Sequence, residues 1–207
     1  IAACALPGPY RPDAADAGLR SLSNACLALL TRLDGGAAAA AQYAAADNMT
    51  QKVAALSCLL AIGKGQDQLA AFEAEWSHDR LVMDKWFTLQ VAGAQPDDLV
   101  ATVNRLTAHP AFDMKNPNRF RSVFGALPGN AAGFHHPSGA AYRLMADWVI
   151  RLDPLNPQTT ARASQAFDTW RRYDAGRQAL IRAELQRIAA TPGLSRDTGE
   201  MVGRMLG

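Results

Sequence analysis

The side chains that titrate, bind metals or attack substrates are sparse in this chain of 207 residues. Four histidines, His78, His109, His135 and His136, are scattered, and none forms His-Glu-x-x-His or sits four residues from another on a helical pattern. A zinc site built from two imidazoles on successive helical turns is therefore excluded. His135-His136 precedes Pro137 in a loop-forming stretch, where imidazoles cap helices or face water. There is no Gly-x-Ser-x-Gly elbow, phosphate-cradling glycine loop or dinucleotide fingerprint. Asp84 and Lys85 read as a helix-surface ion pair, and Cys26 and Cys58 as small core residues on apolar faces. No catalytic constellation is recognisable.

Fixed positive charge is placed more suggestively. From Asn116 to Asn130 the chain reads Asn-Pro-Asn-Arg-Phe-Arg-Ser-Val-Phe-Gly-Ala-Leu-Pro-Gly-Asn. Asn116 is a good N-cap, Pro117 suits the first helical position, and Pro128-Gly129-Asn130 ends the segment. Phe120, Val123, Phe124 and Leu127 form one apolar stripe. Arg119 and Arg121 lie about 100° to either side of Phe120, so both flank the buried seam. Such a helix either presents cations to a cavity or carries two solvated arginines.

The elements that must position these residues are helical throughout. Asp13 caps a helix whose apolar face is Leu19, Leu22, Cys26, Leu29, Leu30 and Leu33, an expected core face that Asp34-Gly35-Gly36 ends. Alanines dominate 37–46, and Asn48 or Thr50 caps the next helix, with Val53, Leu56, Leu59 and Leu60. Helices follow from Asp67 to Trp76, from Leu81 to Gln90 (where Trp86 belongs to the core) and from Pro96. After the Asn116 helix, Pro137-Ser138 opens one through Tyr142 and Trp148, and Asn156-Pro157 opens one carrying Phe167 and Trp170. Asp174 and Ser195 start the last two. No stretch alternates like a strand. The two Asn-Pro starts are 40 residues apart, a spacing that stacked helix pairs of the HEAT or armadillo kind produce. The expected fold is an all-α solenoid of stacked antiparallel helix pairs, with 1–207 forming a single domain.

Apolar residues make up 49% and charged residues 19%, and the net charge is +2. Near-neutral charge gives no footprint for nucleic acid or a polybasic membrane surface, and no apolar run approaches the ~20 residues of a spanning helix. Three unclustered cysteines, Cys4, Cys26 and Cys58, fit a reducing, cytoplasmic compartment. Ile1-Ala2-Ala3-Cys4 lacks the features of a signal peptide, and the missing initiator Met suggests a fragment.

Leu81-Val82-Met83-Asp84-Lys85-Trp86-Phe87, followed by Asn116-Pro117-Asn118-Arg119-Phe120-Arg121-Ser122, resembles the C-terminal domain of bacterial aminopeptidase N, a zinc metallopeptidase family. Asp47-Asn48-Met49-Thr50, Leu152-Asp153 with Asn156-Pro157-Gln158, and Arg172-Tyr173-Asp174-Ala175 match it at compatible spacing. The resemblance implies a helical superhelix that closes the active-site cavity of a larger cytoplasmic enzyme. The catalytic domain of the same polypeptide and the peptide substrate would be its partners. Zinc and its ligands would lie upstream, and this chain would hold no cofactor. It further implies that Arg121 and Arg162 reach the peptide beyond the cut bond, while Arg119 either joins them or serves the domain interface. Ala37–Ala41 and His135-His136-Pro137 depart from the usual pattern. A free-standing helical-repeat adaptor is the alternative. An exposed apolar patch would mark a fragment, and polar caps at both ends an adaptor.

Overall fold

The computed structural model describes residues 10–207, so Cys4 and the Ile1–Cys4 segment lie outside the described residues. The chain divides into two compact units, one running to Gln95 and one covering Pro96–Gly207. Helix is the only regular structure among the described residues.

The described residues of the first unit form five helices: α1 (Ala14–Asp34), α2 (Ala37–Ala45), α3 (Met49–Ala61), α4 (Gln66–Trp76) and α5 (Arg80–Gly93). Side chains of Asp13, Asn48 and Asp79 cap α1, α3 and α5 by accepting first-turn N–H groups. The core joins Leu27 of α1 to Ala39, Ala55 and Leu59. On α5, Val82, Met83, Trp86, Phe87, Leu89 and Val91 are buried. Gly93 closes α5 against α3 at very short range, for a Cβ there would stand 2.6 Å from the Leu60 Cβ. Only glycine permits that approach.

One sequence expectation fails here. The leucine face of α1 is not the buried one. Asp16, Arg20, Ser23, Leu27 and Thr31 point inward, while Leu19, Leu22, Leu29 and Leu33 are exposed. The facing positions on α2 and α3 include the fully buried Ala39 and Ala55. Small partners draw α1 close on its small and polar side; Thr31 and Asp16 find hydrogen-bond partners there, whereas the buried Arg20 Nη1 has none and its guanidinium lies 4.7 Å from the Tyr10 ring centroid. Thr31 Oγ1 donates to the Leu27 carbonyl at 2.7 Å, and Asp16 accepts two bonds from Arg11 at 2.8 and 3.0 Å.

In the second unit a 3₁₀ turn at Pro96–Asp98 leads into α6 (Leu99–Thr107) and α7 (Pro117–Phe124). Then come α8 (Ala131–Phe134), α9 (Ala140–Leu152), α10 (Pro157–Ser164), α11 (Ala175–Ala189) and α12 (Arg196–Leu206). The α7 helix stops at Phe124, earlier than Pro128 alone would require, and Leu127–Gly129 forms a 3₁₀ turn. Asn130 then caps α8, a helix too short to leave a periodic signal. Phe167 and Trp170 fall in 3₁₀ turns beyond α10. The start of α9 is later than Pro137-Ser138 suggests, because Gly139 takes a left-handed φ of 67° before it. Helices α9, α10, α11 and α12 pack on one another.

One buried carboxylate ties this group together. Asp153, 2% exposed at the end of α9, accepts from Ser195 N and Ser195 Oγ at 2.7 Å and from Thr198 Oγ1 at 2.5 Å. Trp170 Nε1–H donates to the Met205 carbonyl at 3.0 Å, fastening α12 a second time.

Candidate functional site

The two Asn-Pro starts fold alike. Asn116 Oδ1 accepts from Asn118 N and Arg119 N at 3.0 and 3.4 Å, and Asn156 Oδ1 from Thr159 N at 3.0 Å. Pro117 and Pro157 take the first helical turn, where a missing N–H removes nothing the helix needs. Helices α7 and α10 lie beside each other. Arg121, five residues past its cap, and Arg162, six past its own, both open into one cavity of about 420 Å³.

Pro117, Phe120, Phe124, Gly125, Asn156, Gln158, Thr159 and Ala163 complete its lining. The Phe120 and Phe124 rings stack at 4.6 Å, and Phe124 meets Trp148 at 4.8 Å, so the apolar wall is backed by a rigid aromatic cluster. Arg121 Nε donates to the Pro117 carbonyl at 3.3 Å, and its Nη2 to Asn118 Oδ1. These bonds hold the guanidinium against α7 without neutralising it. Among the described residues neither Arg121 nor Arg162 forms an ion pair with a carboxylate. Two fixed cations beside an aromatic wall suit an anionic or carbonyl-rich ligand with apolar substituents, because guanidinium forks stay charged at any working pH.

Arg119 is placed elsewhere. It is 5% exposed, and its Nη1 donates to the Ala111 carbonyl at 2.6 Å, so it secures the segment before α7 and does not line the cavity. The periodicity that put Arg119 and Arg121 symmetrically about Phe120 is obeyed. Burial separates them, since one flank of the helix meets protein and the other meets the cavity. Gln158 stood out in the sequence only as part of the Asn156-Pro157-Gln158 family match and Thr159 not at all, and the second Asn-Pro start is the signal that marks both as cavity residues.

A second cluster lies behind α8. The His135 ring stacks on Tyr173 at 4.0 Å, and its Nδ1 pairs with the Tyr142 hydroxyl at 2.8 Å. Arg177 Nε donates to the His135 carbonyl at 2.6 Å and is itself paired with Asp174. Burial, and then the Arg177 charge, holds the imidazole below its ordinary pKa of 6.5, and burial pushes the Tyr142 phenol up to about 12. A base whose pKa is lower in the folded chain binds fewer protons there than in the unfolded chain. Its stabilising effect is complete above pH 6.5 and is lost as pH falls through that value toward the folded one. The melting temperature should therefore drop between pH 7.5 and 5.5, and less so in His135→Gln. An equal drop in both would clear His135 of responsibility.

Among the described residues no group of three His, Cys, Asp or Glu could hold a metal ion. Cys26 and Cys58 are free and half-buried, and no described helix is long and apolar enough to cross a membrane.

Residues 1–207 match the family model of a domain of unknown function with ARM repeats (DUF3458_C). The chain is 38% identical over 206 residues to aminopeptidase N of Caulobacter vibrioides, covering 97% of this chain and 24% of that protein. It is 39% identical over 202 residues to aminopeptidase N of Haemophilus influenzae, covering 95% of this chain and 23% of that one. A crystal structure of Legionella pneumophila aminopeptidase A in complex with aspartic acid superposes with a TM-score of 0.87 at 29% identity. The match covers 98% of this chain and 25% of that one. The chain thus spans about a quarter of the length of the relatives it matches.

Proposed function

Because this chain belongs to the DUF3458_C family of ARM-repeat domains, we propose that it is the C-terminal domain of a bacterial, cytoplasmic, zinc-dependent aminopeptidase. In this reading residues 1–207 act as one domain, without catalysis of their own. They wall the active-site cavity of the catalytic domain in the same polypeptide, and Arg121 and Arg162 hold the peptide tail beyond the cut bond. The convergence of those two arginines on one aromatic-walled cavity, with no carboxylate to satisfy them among the described residues, carries the proposal. The exposed leucines of α1 favour part of a larger protein over a free-standing adaptor, which would carry polar caps. Arg119 has a supporting role, keeping α7 in place.

The test needs the full-length enzyme. Arg121→Ala or Arg162→Ala should lower kcat/KM for peptides about 10- to 150-fold, the range that follows from ~1.5–3 kcal/mol for a charge-assisted hydrogen bond. Small aminoacyl amides, which have no tail, should be cleaved nearly as before. Lysine should rescue in part, keeping the charge and losing the fork. Equal losses on both substrate classes, or none on either, would remove these arginines from the substrate path.

A further inference from the structure

A further cavity of the second unit, about 360 Å³, lies between the loop that follows α6 and the last turns of α9. Phe112, Met114 and Trp148 give it an apolar wall, and two opposite charges, Asp113 and Arg151, share the lining. The Phe112 and Trp148 rings meet edge-on at 5.6 Å. The Arg151 guanidinium lies over the Trp148 ring, 4.8 Å from its centroid. Stacking uses the face of a guanidinium and leaves its N–H edges for a carboxylate. Asp113 Oδ1 accepts from Lys115 N at 2.9 Å, which sets the side chain while Oδ2 keeps its capacity to accept. The loop itself is fastened. Phe112 N donates to the His109 carbonyl at 2.8 Å, Asn116 N donates to the Asp113 carbonyl at 3.2 Å, and Arg119 holds the Ala111 carbonyl.

Among the described residues Asp113 and Arg151 form no ion pair, with each other or with any other side chain. Opposite charges held in one cavity without neutralising each other leave both ends of a dipole to a third party. A ligand that answers them needs a carboxylate, an ammonium and an apolar group close together, and an α-amino acid carries all three on one carbon. We infer that this cavity binds a free α-amino acid with an apolar side chain. Its carboxylate takes the Arg151 fork, its ammonium takes Asp113, and its side chain lies against Phe112, Met114 and Trp148. The volume falls at the small end of ligand sites, as a molecule of this size requires. Each residue added to a peptide carries its termini up to ~3.3–3.6 Å further apart, so the single amino acid keeps its two charges closest. The inference rests on the geometry of the second unit and not on the aminopeptidase reading. On that reading the same class of molecule is also the released product.

The experiment uses the full-length protein and photo-leucine, a diazirine analogue of L-leucine, with cross-links located peptide by peptide by mass spectrometry. Labelling should fall on residues 107–114 and 148–151 and be competed by L-leucine. N-acetyl-leucine, which lacks the ammonium, and leucinol, which lacks the carboxylate, should each compete about 10-fold less well. Arg151→Gln should lower labelling about 10-fold and let leucinol compete as well as L-leucine. Asp113→Asn, which keeps the Oδ1 that accepts from Lys115, should do the same for N-acetyl-leucine. Both residues are exposed, so neither change removes a core contact, and an unchanged melting curve checks the fold. No labelling at these residues, either analogue competing as well as L-leucine against the unmodified protein, or variants that lose labelling without the matched change in competition would overturn the inference. Labelling in the catalytic domain is read on other peptides. This site can therefore fail while the arginine selectivity stands, and the converse also holds.

Discussion

Trp86→Ala is expected to destabilise the protein by about 3–5 kcal/mol in urea or guanidinium titration. Three observations set that size. The indole is 3% exposed on α5, it meets Phe87 edge-on at 5.1 Å, and its Nε1–H donates to the Leu69 carbonyl at 3.2 Å. Truncation removes a large apolar body and leaves a cavity, while the loss of the donor costs the α4 carbonyl one partner. Trp86→Phe separates these contributions, because it keeps most of the volume and loses the N–H. Its cost should be about 1–3 kcal/mol. Hydrogen exchange should quicken first in α4 and α5. A loss under about 1 kcal/mol for the alanine variant would mean that the site collapses onto the space or that water fills it.

Asp153→Ala is the polar counterpart and should cost a similar ~3–5 kcal/mol. The carboxylate accepts three bonds in a site with almost no access to water. Its removal leaves the Ser195 amide and the Thr198 hydroxyl, itself fully buried, facing a void. Hydrogen bonds to a charged acceptor are individually worth ~1.5–3 kcal/mol, and they do not add in full because Ser195 is only partly enclosed. Asp153→Asn preserves the shape but turns an N–H₂ toward donors, so it should lie between wild type and alanine. Asp153→Asn at least as destabilising as Asp153→Ala would mean that shape contributes nothing and the charge everything.

Much of this architecture was legible in residue order. Caps at Asp13, Asn48, Asn116, Asn156, Asp174 and Ser195 each accept the N–H groups their chemistry predicts. Trp86 is buried as its spacing with Val82 and Met83 required. The all-helical fold is borne out, and so is the resemblance to the C-terminal domain of aminopeptidase N. What failed did so for identifiable reasons. Periodicity names the faces of a helix without saying which neighbour each one meets, so α1 showed its leucines and hid its polar side. Short elements such as α8 and the 3₁₀ turns around Phe167 and Trp170 run for fewer residues than a period needs to show itself. Arg119 and Arg121 are equivalent by angle on α7, and only tertiary packing distinguishes a buried strut from a cavity-facing charge.

Synthesis adds a temporal side to the Asp153 bonds. Asp153 leaves the ribosome 42 residues ahead of Ser195. At ~5–20 residues per second that is a wait of roughly 2–8 s during which the carboxylate has none of these three donors and must stay hydrated. A hydrated anion at the end of α9 keeps that corner of the nascent domain open, whatever the neighbouring helices have already buried. The Trp170–Met205 bond, across 35 residues, closes later still. Completion of the second unit therefore waits until Ser195, Thr198 and Met205 have been synthesised.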